Sequence, residues 1–236
     1  KRNTKRNTKR NTKRNTKRNT KRIKKGKIIV HQIFGLMGDK VLPPLFQKSQ
    51  DSYKKFCKRN NYKYKLWNND MCNKLIEEYK GFKSLYDNVR YSIMKVDIIR
   101  FIILHKYGGL YSDMDIIPKI KKLKKHDLII AYKKGNKREH YEMEVLQSVK
   151  GNPILLEFLD YVKIQIKEKS PKKIYETWKC RYIYQTTGPY SLNRFLKGKD
   201  IEKYIINEPK TIGNSLNLKG NEDFISHPSC SYIGKL

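Results

Sequence analysis

The 236-residue chain has one alanine, Ala131, four scattered cysteines, no long apolar run and no acidic residue among its first 27 positions. Cys57, Cys72, Cys180 and Cys230 form no Cys-x-x-Cys pair. This argues against a zinc site and against a disulfide-dense secreted scaffold, and leaves reduced, buried thiols as the expectation. A membrane span needs about 18 consecutive apolar residues, and none is present. There is no signal-peptide core and no Asn-x-Ser/Thr acceptor, so nothing in these residues marks a lumenal protein, and a soluble cytoplasmic one is expected. Residue 1 is Lys rather than Met, which leaves room for an upstream anchor. Also absent are a Ser-His-Asp order, a phosphate-binding Gly-x-x-x-x-Gly-Lys and a Cys-His nucleophile pattern. The scarcity of alanine beside abundant Lys, Asn, Ile and Tyr is the composition of AT-rich coding, which accounts for much of the positive charge in the body of the chain.

What is present at the N-terminus is Lys-Arg-Asn-Thr, five times over residues 1–20, followed by Lys21-Arg22-Ile23-Lys24-Lys25-Gly26. Without an apolar period, residues 1–26 are expected to be a disordered basic tail, and 27–236 one folded domain. Residues 1–27 carry 15 of the 54 basic residues, so 39 bases face 22 acids in the rest and half of the +32 net charge is tail. Such a tail can bind nucleic acid or an anionic surface, weakly and in a salt-sensitive way.

About two hundred residues beyond the tail suit one α/β domain. Strands are expected at Ile28–Phe34, Lys63–Trp67, Leu110–Ser112, Leu128–Tyr132 and Tyr204–Ile206. Helices are expected at Leu45–Arg59, Asp70–Tyr79, Tyr91–Lys106 and Ile154–Lys167. This alternation argues for a mostly parallel central sheet flanked by helices, with any ligand at the carboxyl ends of the strands.

The densest signal lies between Asp97 and Asp115. Ile93, Val96, Ile99, Ile103 and Leu104 recur at helical spacing, which predicts a helix with one core-facing stripe and with Asp97 and Arg100 as neighbours on its surface. Gly108 suits a left-handed helix stop and Gly109 lets the chain reverse. After a short strand, Asp113 and Asp115 are two apart; in an extended chain they would project together, roughly 6.5–7 Å apart. Paired carboxylates with no Cys or His cluster nearby favour a hard or borderline cation such as Mg²⁺ or Mn²⁺.

The string Asp97-x-x-Arg100, then Gly108-Gly109-x-Tyr111-x-Asp113-x-Asp115, resembles the signature of DXD-containing sugar-nucleotide glycosyltransferases, most closely glycosyltransferase family 32. Lys27-Ile-Ile-Val-His31-Gln-Ile-Phe34 resembles the family's first strand, with Phe34 replacing a tryptophan. Tyr62–Asn68 is similar to its second strand, Thr187-Gly188-Pro189 to its Thr-Gly-Pro before a helix, and His227 falls where relatives place a C-terminal His or Asn near the metal. The resemblance implies a GT-A fold and a metal-dependent retaining transfer of a sugar from a UDP- or GDP-linked donor to a hydroxyl of a glycan or glycoconjugate. It further implies Asp115, with Asp113 and His227, at a Mn²⁺ or Mg²⁺ ion, and Asp113, Asp97 and Arg100 on the donor's hydroxyls. Phe34 and Tyr111 would line the nucleotide pocket, and Thr187, Gly188 and Pro189 would stand on the acceptor side. By the same analogy, a Golgi or ER lumenal location would require an upstream anchor.

One departure stands out: where relatives carry an Asn-rich segment that helps form the donor or acceptor edge, this chain reads Glu142-Met143-Glu144, an acidic pair that could accept acceptor hydroxyls and is expected here as a solvated helix face. Two other readings accompany the enzyme, a basic nucleic-acid-binding protein and a catalytically silent sugar-nucleotide-binding module. The first lacks any recognised nucleic-acid-binding signature in the body of the chain.

Overall fold

The computed structural model describes residues 27–124, 127–134, 139–169, 179–197, 199, 208–209 and 213–215. The basic tail, the strand candidate Tyr204–Ile206 and His227 lie outside the described residues. The amino-terminal half alternates strand and helix: β1 (Ile29–Ile33), α1 (Pro44–Asn60), β2 (Lys63–Trp67), α2 (Asn69–Glu77), α3 (Lys80–Asp87), α4 (Ser92–Tyr107) and β3 (Gly109–Ser112). Then follow β4 (Ile116–Pro118), β5 (Leu128–Lys134), β6 (Glu139–Ser148), α5 (Ile154–Lys169), α6 (Lys179–Thr186), α7 (Pro189–Lys197), β7 (Glu208–Pro209) and β8 (Gly213–Ser215).

Six strands form one sheet in the order β2-β1-β3-β6-β5-β7, in which only β6 runs against the others. β4 and β8 form a separate antiparallel pair. One apolar cluster joins the sheet to α2, α3, α4, α5 and α7, and a second joins its other face to Tyr53, Phe56 and Cys57 of α1 and to Leu123. The mostly parallel, helix-flanked sheet expected from the alternation is thus present.

Helix α4 corrects the expectation of a single apolar stripe. Met94 and every residue from Val96 to Leu104 are buried, Asp97 and Arg100 included, because α4 packs against β1, β3, β6 and three helices rather than lying on a surface. Gly108 ends it with φ 63° and ψ −169°, so it has positive φ but is not in the left-handed helical region. At Gly109, where φ is 99°, a Cβ would sit 2.0 Å from the Ile29 carbonyl oxygen, so only glycine lets β3 lie against β1 here.

Glu142-Met143-Glu144 is a second correction, since it lies in β6 at the middle of the sheet and not on a helix. The apolar-polar alternation from Tyr141 to Val145 was the signal for it. The thiols divide: Cys57 and Cys72 are free and buried, whereas Cys180 is disulfide-bonded, contrary to the expectation of reduced thiols throughout. No helix among the described residues is long and apolar enough to cross a membrane.

Candidate active site

β1 and β3 are parallel neighbours, so their carboxyl ends lie on one edge of the sheet. At that edge β3 stops at Ser112 and the chain leaves the main sheet to join β4 to β8. Asp113, Met114 and Asp115 make this departure as a tight turn, closed by the Ile116 amide donating to the Asp113 carbonyl over 3.4 Å. They are therefore not alternate residues of an extended strand. Met114 is buried beneath the turn, and Asp113 and Asp115 stay half-buried.

Two sets of groups hold this turn. On one side, the Gln32 side-chain amide donates to the Asp113 carbonyl (3.1 Å) and to the Ser49 hydroxyl (3.0 Å), and accepts from the Tyr64 hydroxyl (2.8 Å). Ser49 in turn donates to the Ile116 carbonyl. Beside Gln32, buried His31 meets the Gly108 carbonyl through Nε2 (2.9 Å) and accepts from the Trp67 indole at Nδ1 (3.1 Å). The indole is a donor only, so Nδ1 is unprotonated and His31 is neutral with its proton on Nε2. Burial pushes its pKa down to about 4 against the raising effect of the Gly108 bond.

On the other side stands Arg100, only 3% exposed. Its Nη2 donates to Asp97 Oδ1 (2.9 Å), its Nη1 to the Met143 carbonyl (2.8 Å), and Nη1 also lies 3.4 Å from Asp113 Oδ1. Nε donates to the Val96 carbonyl within α4, and the guanidinium lies 4.9 Å from the centre of the Tyr111 ring. The Tyr111 hydroxyl donates to the same Asp113 oxygen, and Thr187 donates to Asp97 Oδ2 (2.7 Å). Both Asp97 oxygens are thereby occupied.

β6 brings Glu142-Met143-Glu144, the segment that departs from the family resemblance, against the turn through its main chain. Between the Ile130–Leu146 and Ala131–Glu142 pairs, Met143, Glu144 and Val145 have no partner on β5, so β6 bulges beside the turn. The bulge presents the Met143 carbonyl to Arg100 and the Glu144 carbonyl to the Asp113 amide (2.8 Å). These are main-chain contacts, on which side-chain identity leaves no mark.

The electrostatics follow from one buried guanidinium among several carboxylates. Burial pushes Asp97 up to about 6 against Arg100 and Thr187. Burial, then the Asp113 charge, pushes Asp115 up to about 6 as well. Asp113 is raised by burial and by Glu142, which Arg100 and Tyr111 oppose. For Arg100, burial works against the charge, but Asp113, Tyr111 and Asp97 outweigh it and raise its pKa. Asp115 has no ion-pair partner among the described residues, and Asp113 Oδ2 is likewise without one. Two adjacent carboxylates with spare oxygens fit a hard divalent cation that takes its remaining ligands from water and a substrate phosphate. Among the described residues no group of three or more His, Cys, Asp or Glu stands close enough to form a complete cage.

Of the other anticipated residues, Phe34 follows β1 at the same edge, half-buried and edge-on to Phe46 at 6.2 Å. Thr187 is buried behind Asp97, and Gly188 approaches the Tyr184 backbone so closely that a Cβ would lie 2.9 Å from its Cα. Pro189 begins α7.

Residues 43–135, which contain this turn, match the family described as "Glycosyltransferase sugar-binding region containing DXD motif". The match covers less than half of the chain, and Asp113-Met114-Asp115 is the Asp-x-Asp sequence within it. Among curated relatives, the mannosyl phosphorylinositol ceramide synthase SUR1 of Saccharomyces cerevisiae is 45% identical over 56 residues, which is 23% of this chain and 15% of the relative. The synthase CSH1 of the same yeast is 29% identical over 138 residues, 55% of this chain and 32% of the relative. An uncharacterised glycosyltransferase, L373, of Acanthamoeba polyphaga mimivirus is 31% identical over 93 residues, 38% of this chain and 35% of the relative. The matches thus span about a third or less of these relatives. The solved PaToxG glycosyltransferase superposes with a TM-score of 0.53 over 73% of this chain and 69% of its own, at 17% identity. That likeness establishes the GT-A type of fold around the DXD turn.

Proposed function

We propose that the chain is a metal-dependent, retaining glycosyltransferase that moves a sugar from a nucleotide-diphosphate sugar to an acceptor hydroxyl. The observation that carries this reading is the half-buried Asp115 carboxylate, without a basic partner among the described residues, beside an Asp113 that Arg100 and Tyr111 clamp. Asp115 is the direct ligand of Mn²⁺ or Mg²⁺. The spare oxygen of Asp113 would serve the ion's water shell and the donor's hydroxyls, and His227, by the family resemblance, would be a further ligand. A divalent ion held by these carboxylates would supply positive charge against the diphosphate leaving group.

Arg100 and Asp97 are held by each other, Thr187 and Met143, and would meet the transferred sugar's hydroxyls only with the carboxylate lone pairs and guanidinium N–H left over. They fix the direction of the Asp113 carboxylate, and Thr187 serves Asp97 rather than an acceptor, while Gly188 and Pro189 set the start of α7. Phe34, half-buried at the same edge, borders the nucleotide, whereas Tyr111, 1% exposed, acts from below through its hydroxyl on Asp113. Retention follows from the family resemblance and needs no dedicated base: the acceptor hydroxyl attacks the face that the diphosphate leaves. The names of the yeast relatives make mannose the first sugar to try and phosphorylinositol ceramide the first acceptor.

The test is a thermal-shift series of the protein with UDP- and GDP-sugars, with and without Mn²⁺, because a ligand that binds only the folded state raises its apparent stability. One donor should stabilise the chain only when Mn²⁺ is present, and Asp115→Ala should abolish both that shift and transfer while still folding. Retention of most activity by Asp115→Ala would end the metal assignment.

A further inference from the structure

The charged residues of the DXD turn depend on a neutral device that the activity reading leaves unused. Gln32 is fully buried in β1, and the distances of its amide define its orientation. The nitrogen faces the Asp113 carbonyl and Ser49, and the oxygen faces the Tyr64 hydroxyl, which has its own proton to give. Ser49, also fully buried, passes its proton on to the Ile116 carbonyl. A relay of one phenol, one amide and one hydroxyl, from three separate elements, therefore ends on the two carbonyls that bracket Met114 and Asp115. The turn's local bonds are long, the Ile116 amide at 3.4 Å and the Ser112 hydroxyl at 3.2 Å from the Asp113 carbonyl, so Gln32 and Ser49 supply the holds from outside the turn.

Resting on the metal-dependent reading above, we propose that Gln32, with Ser49 as its relay, is a positioning residue for the DXD turn. By pinning the Asp113 and Ile116 carbonyls it sets the separation and direction in which Asp113 and Asp115 present their carboxylates to a divalent cation. Ions of this kind tolerate little error in ligand geometry, Mg²⁺ least of all. A Gln at this position thus acts on the cation without touching it, and its loss leaves every carboxylate in the sequence while spoiling their arrangement.

The experiment titrates the full chain with Mn²⁺ alone, reading free Mn²⁺ by its paramagnetic resonance signal, alongside the thermal midpoint without metal. Gln32→Met should weaken Mn²⁺ binding about tenfold, and Ser49→Ala about threefold. Ser148→Ala, which removes a buried hydroxyl bonded to the Asp127 carbonyl opposite Gly109, at the other end of β3 from the turn, should lower the midpoint and leave Mn²⁺ binding unchanged. If Gln32→Met does not fold, Tyr64→Phe removes only the phenol that orients the amide and should also weaken binding. Wild-type Mn²⁺ affinity in Gln32→Met and Ser49→Ala, with lowered midpoints, would make the relay a packing feature and overturn the assignment. Failure of the unaltered protein to bind Mn²⁺ would overturn the metal reading, and this assignment with it.

Discussion

The two sides that grip the DXD turn use opposite physics. On the β1 and α1 side, neutral Gln32 and Ser49 bond the turn's backbone, Tyr64 of β2 holds the Gln32 amide, and a neutral His31 ties β1 to the end of α4. On the α4 and β6 side, a buried guanidinium bonds the turn's side chain and is itself held by Asp97 and by main-chain carbonyls. The neutral side, together with the Glu144 carbonyl of β6, sets the backbone's course and so where both carboxylates stand, and Arg100 with Tyr111 then orients the Asp113 carboxylate. Neutral hydrogen bonds cost little to desolvate and fix position; the ion pair is expensive to bury, but once formed it is hard to remove.

The largest effect should come from breaking the charged side. Arg100→Met leaves Asp97 and Asp113 buried without their cation, and urea unfolding should show a loss of about 3–5 kcal/mol. Changing Asp97 to Asn in that background should return part of it. Equal losses in the single and double variants would mean that the pair is not the seat of the cost.

A second effect distinguishes the sides by sign. His31 is depressed to about 4 in the folded protein, below the roughly 6.5 of an unfolded histidine. Its contribution is complete above pH about 6.5 and is lost as pH falls toward about 4, by about 3 kcal/mol at 1.36 kcal/mol per unit. Asp97 and Asp115 are raised to about 6, so the folded state takes their protons first and acid favours it. Unfolding free energies measured from pH 7 to 4 should therefore fall less with acid, or rise more, in His31→Gln than in the unaltered protein. An unchanged slope would remove His31 from the account.

The smallest effect should come from Thr187→Val, which strips one hydrogen bond from Asp97 Oδ2 and should cost about 1–3 kcal/mol. Nuclear magnetic resonance titration should find Asp97 raised further, since Thr187 is among the groups holding it down. A stability loss with no movement of Asp97 would confine Thr187 to packing.

Local spacing made much of this legible. The alternation of strand and helix up to β3, the glycine pair after α4 and the turn's two aspartates were all visible, because near neighbours in the chain dictate them. Gly109 is needed for contact with Ile29, yet its presence could be read as a chain reversal. The α4 stripe was misread because a helix buried on every side has no polar face to mark it. The Asp113–Asp115 geometry was misread because the chain changes sheets between them.

By itself the sequence determined which ionisable and glycine residues meet at the end of β3, and so the kind of chemistry this chain is built around. Tertiary structure alone decided that Arg100 is consumed by Asp97, Asp113 and a bulge in β6, and that Gln32 reaches a carbonyl 81 positions away. Contacts made through main-chain atoms, across strands distant in the chain, depend on where the backbone runs and not on which side chain it carries. That is why Met143 and Glu144 entered the site without any signal in their own identities.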